Sequence, residues 1–388
     1  MSNRKKNILI FTAYYLPGYK SGGPIQSISN LVDAFSSKFN FFIVTRDRDL
    51  LDQNPYSNIK YDEWNIVGKA KVYYINSNTS WRFYQKLIKD FKFDVLYLNS
   101  FFGYHFSIRP LLINRFTRKN NQTPVVIAPR GEFSKGALLL KNFKKKAFIR
   151  LSGMLELHKN AIWQASSHYE KKDIENAMPN QNKKIIVAQN VPNITLKPES
   201  FNKVFEGVLN LIFISRISPK KNLIYLLKTL QLVTVNIKFN IYGLVDDKPY
   251  WNQCKQLMNQ LPENVKATWH GPIMHDEVMS KLSESHLFFL PTLGENFGHA
   301  IVESFLAGVP VLISTKTPWR KLEAAGVGWD INLENRTKFV SIIEDYFKEL
   351  QSGNHKEPTH IRNWILNKLE SSDVMESNKI LFEEAMNH

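Results

Sequence analysis

The chain of 388 residues predicts a mixed α/β protein, built as two doubly wound, Rossmann-like domains facing one central cleft. Three observations carry that prediction. Short apolar runs alternate with amphipathic helical stretches throughout, which is the pattern of parallel sheets covered by helices. The length exceeds what one hydrophobic core comfortably fills. The alternation stops once, at the polar stretch Lys197-Pro198-Glu199-Ser200, and restarts at Leu209. The domains are therefore placed at 1–192 and 193–371, with 372–388 as a separate C-terminal segment.

In the first half, strands are expected near 8–12, 41–45, 72–75, 95–98, 125–128, 161–165 and 185–188. The first follows Met1-Ser2-Asn3-Arg4-Lys5-Lys6 and superficially resembles a signal peptide. No small-residue cleavage site follows, and the run ends in Pro17-Gly18-Tyr19-Lys20, so it reads better as a first buried strand. In the second half, strands are expected at 209–214, 237–242, 265–269, 287–290, 309–313 and 328–331. No internal repeat or low-complexity tract interrupts them.

The stretch Thr292-Leu293-Gly294-Glu295-Asn296-Phe297-Gly298-His299-Ala300-Ile301-Val302-Glu303 is the richest in chemistry. It follows the apolar run Leu287-Phe288-Phe289-Leu290, is broken by Pro291 and Gly294, and enters a helix over 300–307 with Gly308 at its stop. In such a strand–loop–helix unit the free N–H groups of the helix start lie at the carboxyl end of the sheet, where ligands bind. The amides of Asn296, Phe297 and Gly298 are placed to meet a polar ligand. Glu295, in the loop, can accept hydrogen bonds from sugar hydroxyls, and Glu303 lies about two turns into the helix. Ionised carboxylates are pure acceptors, for which vicinal diols are good donor pairs. Taken alone, the two residues fit a solvated loop glutamate and an ordinary helix glutamate equally well.

Upstream, the strand at 209–214 is followed by Ser215-Arg216-Ile217-Ser218-Pro219-Lys220-Lys221-Asn222. A guanidinium fork at Arg216 and a point charge at Lys221 are usual partners of phosphate oxygens. The alternative is a solvated basic turn before the helix at 223–233, with Lys220 able to share the role. Near the N-terminus, Tyr14-Tyr15-Leu16-Pro17-Gly18-Tyr19-Lys20-Ser21-Gly22-Gly23-Pro24 follows the first strand. The adjacent Gly22 and Gly23 let backbone N–H groups approach a ligand closely, or simply form a flexible turn before a helix beginning near Pro24.

The run from Glu295 to Glu303, continued by Ser304, Ala307, Gly308, Val309 and Pro310, resembles the E-x7-E signature of the retaining glycosyltransferases of family 4, enzymes of the two-domain GT-B fold. The resemblance implies that Glu295 binds hydroxyls of the donor sugar and Glu303 the ribose. It implies that Arg216 and Lys221 clamp the donor diphosphate and stabilise charge on the leaving nucleoside diphosphate. The Gly22-Gly23 loop would lie under the donor phosphates, and the first domain would hold the acceptor. The C-terminal segment would cross back to the first domain, although the family's aromatic pattern there is faint. Retention would proceed by same-face attack in which the leaving phosphate oxygen takes the acceptor proton.

The segment Ile127-Ala128-Pro129-Arg130-Gly131-Glu132-Phe133 resembles the Pro-Arg-Gly or Pro-His-Gly segment of many relatives. Arg130 and Glu132 are therefore candidates for binding the acceptor or donor sugar, with Glu132 a candidate for removing the acceptor proton. An Arg–Glu pair, or plain turn residues, is the alternative. Where relatives often carry a histidine, this chain has Tyr97-Leu98-Asn99-Ser100-Phe101; Asn99 cannot act as a base, and nearby His105 reads as structural.

The formal net charge is +16, and its densest run lies in 135–151, where five basic residues fall between Lys141 and Arg150 among apolar ones. Read as one basic amphipathic helix, it fits an anionic membrane surface, at roughly 1 kcal/mol per basic residue. A core helix with a solvated basic face is the alternative, and no nucleic-acid module accompanies the run. Asp47-Arg48-Asp49 and Asp246-Asp247 read as solvated loops rather than metal ligands, so neither metal nor cofactor is expected. The single cysteine, Cys254, excludes an internal disulfide and points to a reducing compartment. No apolar run approaches the roughly 18–20 residues that span a bilayer. The expectation is a cytoplasmic enzyme, peripheral at the inner face of the cell membrane. It would move a sugar from a nucleoside-diphosphate sugar to a saccharide or lipid-linked saccharide, as in O-antigen or capsule synthesis. The alternatives are a soluble acceptor, or a non-catalytic sugar-nucleotide or polysaccharide-binding protein of the same fold.

Overall fold

A computed structural model of the chain describes residues 4–76, 78–117, 123–139, 142–179, 183–194, 204–370 and 373–387. The chain divides into two compact units, Met1–Val191 with Asp373–His388, and Pro192–Ser372. The polar stretch at 197–200 lies outside the described residues.

The first unit contains β1 (Lys6–Phe11), β2 (Phe39–Arg46), β3 (Trp64–Val67), β4 (Ala70–Ile75), β5 (Val95–Leu98), β6 (Val125–Ile127), β7 (Ala161–Ala165) and β8 (Lys184–Val187). They form one sheet in the order β3-β4-β2-β1-β5-β6-β7-β8. Every pairing is parallel except β3 with β4. Successive residues of β1 feed opposite faces. Ile8 and Ile10 join one apolar layer and Leu9 and Phe11 the other, which is why the strand is apolar without alternation. β3 is the strand that periodicity does not announce. It is a half-exposed edge strand, and its only sequence signal is the two-residue turn Gly68-Lys69 that joins it to β4.

The second unit is a six-stranded, wholly parallel sheet of β9 (Leu209–Ile214), β10 (Ile237–Tyr242), β11 (Val265–Trp269), β12 (Leu287–Leu290), β13 (Val311–Ser314) and β14 (Gly328–Ile331). Its order is β11-β10-β9-β12-β13-β14. This is the doubly wound arrangement in which the chain winds outward from β9 in one direction and then, from β12, in the other. The strand order therefore reverses between β9 and β12. In the first sheet the corresponding reversal lies between β1 and β5. Loops leaving these strands at their carboxyl ends have no crossover helix over them, and that leaves room for ligands.

The helix Val374–Met386 belongs to the first unit. Phe382, fully buried, meets Phe35, Phe39, Phe41 and Tyr97 at ring-centroid distances of 5.2–6.4 Å. Asn378 donates to the Gln189 carbonyl at 2.8 Å, which fixes the helix in register against the end of β8. Of the basic run expected as one helix over 135–151, the described residues form the helical spans Lys135–Leu139 and Asn142–Met154; Leu140 and Lys141 lie outside the described residues.

Removing the Phe382 ring empties an aromatic pocket that cannot easily collapse. Phe382→Ala should cost about 3–5 kcal/mol of stability in denaturant unfolding. A loss below about 1 kcal/mol would show that the C-terminal helix adds little to this core.

Candidate functional site

In the second unit the reversal point is closed by a set of hydrogen bonds between the loops after β9 and β12. Lys220 offers its carbonyl to Leu293 N at 2.8 Å and to Thr292 Oγ1 at 3.1 Å. Asn222, in the left-handed region at φ 61°, donates from Nδ2 to the Pro291 carbonyl at 2.9 Å. Glu295 N is held by the Lys316 carbonyl at 2.9 Å. Within this frame Lys221 Nζ is in direct ion-pair contact with Glu295 Oε1, and the two side chains are only 16% and 11% exposed. Two residues 74 apart in sequence thus meet at the sheet's reversal point.

Arg216 lies on the same loop as Lys221 but faces a different partner. Its Nη1 donates to Asp246 Oδ2 at 2.9 Å, with both side chains partly exposed. Asp246 is therefore not a free solvated carboxylate, and Asp247 is the N-cap of the helix Lys248–Met258, accepting from Tyr250 N at 2.9 Å. An exposed pair of this kind is worth about 0–1 kcal/mol, so the guanidinium can exchange its carboxylate for a stronger oxyanion at little cost. The loop depends on a residue that motif reading passed over. Gly243, at the end of β10, lies so close to the Ser215 carbonyl that an added Cβ would sit 1.8 Å from that oxygen. Only glycine lets β10 pass under the loop that carries Arg216.

The helix His299–Leu306 follows Gly298, whose φ is 81°. Glu303 is therefore just over one turn in, not two. Phe297 is buried, and its carbonyl accepts from Trp319 Nε1 at 2.6 Å, which fixes the peptide before the helix. Asn296 remains at the half-exposed surface of the loop. Arg362, itself buried, donates to the Leu306 carbonyl at 2.5 Å and so satisfies the far end of the helix. Glu303 is 9% exposed, and burial raises its carboxyl to about 7. Its neighbour is His275, with Nδ1 at 3.7 Å from Oε1; burial holds that imidazole below its ordinary value. A carboxyl divided between its two forms near neutral pH is unusual for an ordinary helix glutamate, and it matters for any ligand that must donate to it.

In the first unit Gly22 precedes the helix Gly23–Phe35 at φ 63°, a conformation glycine adopts without strain, and Gly23 opens the first turn. The loop before them is anchored by Asp49, which accepts from Tyr19 N at 2.7 Å and from Lys20 N at 3.0 Å. Asp47 pairs with Arg48 at 2.8 Å. Asp47 and Asp49 are both 4% exposed, so the expectation of a solvated loop fails here. Their carboxylates are consumed by backbone amides and an arginine. Among the described residues no cluster of three or more His, Cys, Asp or Glu side chains could hold a metal ion.

Arg130 and Glu132 do not pair with each other. Arg130, at φ 55°, donates from Nε to Asn99 Oδ1 at 2.7 Å and from Nη2 to Tyr97 Oη at 2.6 Å, and also contacts Asn190 Oδ1 through Nη1. Asn99 in turn donates to Thr12 Oγ1 at 3.2 Å, so this network fastens the loops after β1 and β5. Glu132 accepts from Ser100 Oγ at 2.8 Å, Phe101 N at 2.6 Å and Phe102 N at 3.1 Å. Both its oxygens are occupied inside the protein, which leaves it poorly placed to take a proton from a substrate. Burial raises the Glu132 carboxyl, opposed by those three donors. Both residues shape the carboxyl edge of the first sheet.

Comparison with known proteins follows the same division. Residues 198–357 match the family model described as "Glycosyl transferases group 1". A relative from Klebsiella pneumoniae, an "uncharacterized 41.2 kDa protein in cps region", is 26% identical over 301 residues, spanning 75% of this chain and 79% of that protein. Among solved structures, Anabaena Alr3699/HepE in complex with UDP-glucose superposes with a TM-score of 0.71 at 17% identity, over 98% of this chain and 100% of that one. The apo form of the lipopolysaccharide outer core galactosyltransferase WaaB gives 0.59 at 15% identity, over 98% and 99%. At these identities the structural likeness establishes the fold, two parallel-sheet Rossmann-like units of the GT-B type. The matched segment 198–357, which carries Arg216, Lys221, Glu295 and Glu303, is similar to the group 1 glycosyltransferases.

Proposed function

We propose that the protein is a retaining glycosyltransferase that takes its sugar from a nucleoside-diphosphate sugar bound at the reversal point of the second sheet. The observation that supports this most is the Lys221–Glu295 pair, a cation for phosphate and an acceptor for sugar hydroxyls held together nearly out of water. Arg216 releases Asp246 and joins Lys221 on the diphosphate; Glu295 accepts from the sugar and Glu303 from the ribose diol. The amides of Asn296, Phe297 and Gly298 lie beside the bound donor. Positive charge from Arg216 and Lys221 stabilises the leaving diphosphate, so no metal is required. With Glu132 saturated inside the fold, the leaving phosphate oxygen takes the acceptor proton in a same-face attack.

The acceptor is proposed to be a growing saccharide of a bacterial surface polysaccharide, O-antigen or capsule, carried on a lipid. Two likenesses support this: the Klebsiella relative is named for the cps region, and WaaB is a lipopolysaccharide transferase. The helix Asn142–Met154 supports it independently. Phe143, Met154 and Leu151 are 87%, 74% and 54% exposed, alongside exposed Lys144, Lys146 and Arg150. Lys145 turns inward to the Ala137 carbonyl at 2.6 Å. An outward face that is both apolar and basic suits the headgroup region of an anionic leaflet at the inner side of the cell membrane. No helix among the described residues is long and apolar enough to cross a membrane.

Two measurements test these readings. Thermal stabilisation against a panel of nucleoside diphosphates and their sugars, with and without EDTA, should single out one nucleotide whose effect survives chelation and is lost in Glu303→Ala. Because the ionised carboxylate accepts from both ribose hydroxyls, affinity for that nucleotide should rise as pH increases through about 7. The rise should be up to about tenfold, and it should be absent in Glu303→Gln. A wild-type profile as flat as that of Glu303→Gln would remove Glu303 from the ribose. Sedimentation with vesicles should show binding to phosphatidylglycerol-containing but not purely zwitterionic vesicles, weakened several-fold by Phe143→Ser with Met154→Ser. Equal binding to both vesicle types, or none to either, would refute the membrane reading.

A further inference from the structure

The first unit contains a second cationic centre, at the carboxyl edge of its sheet, that the donor site does not use. Arg46 is the last residue of β2 and Arg109 opens the helix Arg109–Thr117. The guanidinium of Arg46 lies 5.6 Å from the ring centroids of both Tyr14 and Phe106. That of Arg109 lies 4.9 Å from Tyr84 and Tyr104 and 5.7 Å from Trp81. Both arginines act on His105 and on Tyr84, which places them in one neighbourhood. His105 is held below its ordinary value by burial and by these two positive charges.

Both arginines are half-buried, and among the described residues neither has a carboxylate within ion-pair distance. Asp47, the nearest acid in sequence to Arg46, is taken by Arg48. Arg109 uses one donor on the Thr79 carbonyl at 2.9 Å. Among the described residues, nothing accepts a hydrogen bond from the Arg46 side chain, and the Nε atoms of both arginines are buried without a partner. The hydroxyl of Ser107, buried between them in sequence, also lacks a partner.

Residues Tyr104–Ile108 make a turn of π-helix, a conformation that is rare and recurs at functional sites. Partly burying two positive charges without a counter-charge is costly, and a cation–π contact returns only part of that cost. A bound oxyanion would repay it, meeting guanidinium forks that match its geometry. At the rim stand Trp81 and Tyr104, 39% and 51% exposed, with apolar ring edges suited to the C–H faces of a sugar.

We infer that Arg46 and Arg109 form an oxyanion subsite that holds a phosphate or carboxylate group of the acceptor saccharide. The acceptor role rests on the glycosyltransferase reading; the oxyanion site itself does not. Oxyanions of two sources fit it, a sugar-linked phosphate or diphosphate and the carboxylate of an acidic sugar.

Titration of the full-length protein with inorganic pyrophosphate and, separately, with glucuronate distinguishes them. Both titrations are run with the donor site saturated by the nucleoside diphosphate that the thermal panel selects. At least one probe should bind under those conditions, with affinity falling as salt rises. Arg46→Gln and Arg109→Lys should each weaken it about tenfold or more while leaving nucleotide affinity unchanged, and the latter variant keeps the charge but loses the fork. Unchanged nucleotide affinity also verifies folding; if Arg46→Gln fails to fold, Arg109→Lys carries the test. Stronger pyrophosphate than glucuronate binding assigns a phosphate-bearing acceptor, and the reverse an acidic sugar. Failure of both probes to bind, or binding lost in Arg216→Ala but retained in Arg46→Gln and Arg109→Lys, would overturn the inference. Absence of any nucleotide binding alongside probe binding that depends on Arg46 would count against the donor reading while leaving the subsite standing.

Discussion

Lys221 and Glu295 face each other, nearly out of water, at the point where the second sheet reverses its winding. A desolvated ion pair is a poor stabilising device, since the cost of removing two charges from water roughly cancels their attraction. It becomes intelligible as a resting arrangement in which each charge covers the other until a ligand offers better partners. The surroundings serve that pair. Asn222 and Lys220 bind the two loops together, Ser314 Oγ accepts no slack at the Thr292 carbonyl, to which it donates at 2.5 Å, and Lys316 fixes the peptide of Glu295. Held in this way, the loop backbones keep both charges in place at the carboxyl edge of the sheet, and under the proposed function a diphosphate has only to displace their side-chain partners.

The first unit follows the same plan with different chemistry. Its reversal point, between β1 and β5, is fastened by the chain Thr12–Asn99–Arg130–Tyr97, a neutral network around one guanidinium. Arg130 is held in that network, and Glu132 accepts from the turn at Ser100, so both of these candidate residues have their polar atoms engaged within the protein. The charges left over are those of Arg46 and Arg109, which come from the end of a strand and the start of a helix and belong to no motif. Arg216 and Lys221 are thus paired with carboxylates, whereas Arg46 and Arg109 are packed on aromatic rings.

Much of this was legible in the sequence, for identifiable reasons. Parallel strands buried on both faces are continuous apolar runs, so β1, β5, β9 and β12 could be located to within a residue or two, and with them the loops that carry Arg216, Lys221 and Glu295. Partners distant in sequence were not legible. Nothing in the letters says that Arg216 meets Asp246, that Asp49 holds the amides of Tyr19 and Lys20, or that Gly243 makes room for Ser215. Those depend on which loops the winding order brings side by side. β3 was missed because an exposed edge strand shows neither a buried run nor clean alternation.

The claim on which the rest depends is that Lys221 serves the diphosphate and Glu295 the sugar. Calorimetric titration of Lys221→Met and Glu295→Gln, each with the nucleoside diphosphate and with its sugar conjugate, separates the two roles. Lys221→Met should weaken both ligands about equally. Glu295→Gln should weaken the sugar conjugate by about tenfold or more while leaving the bare diphosphate as tight as in the wild type, or tighter, because Lys221 is released from its partner. Unchanged affinity of both variants for both ligands would contradict the account and return the pair to a purely structural role.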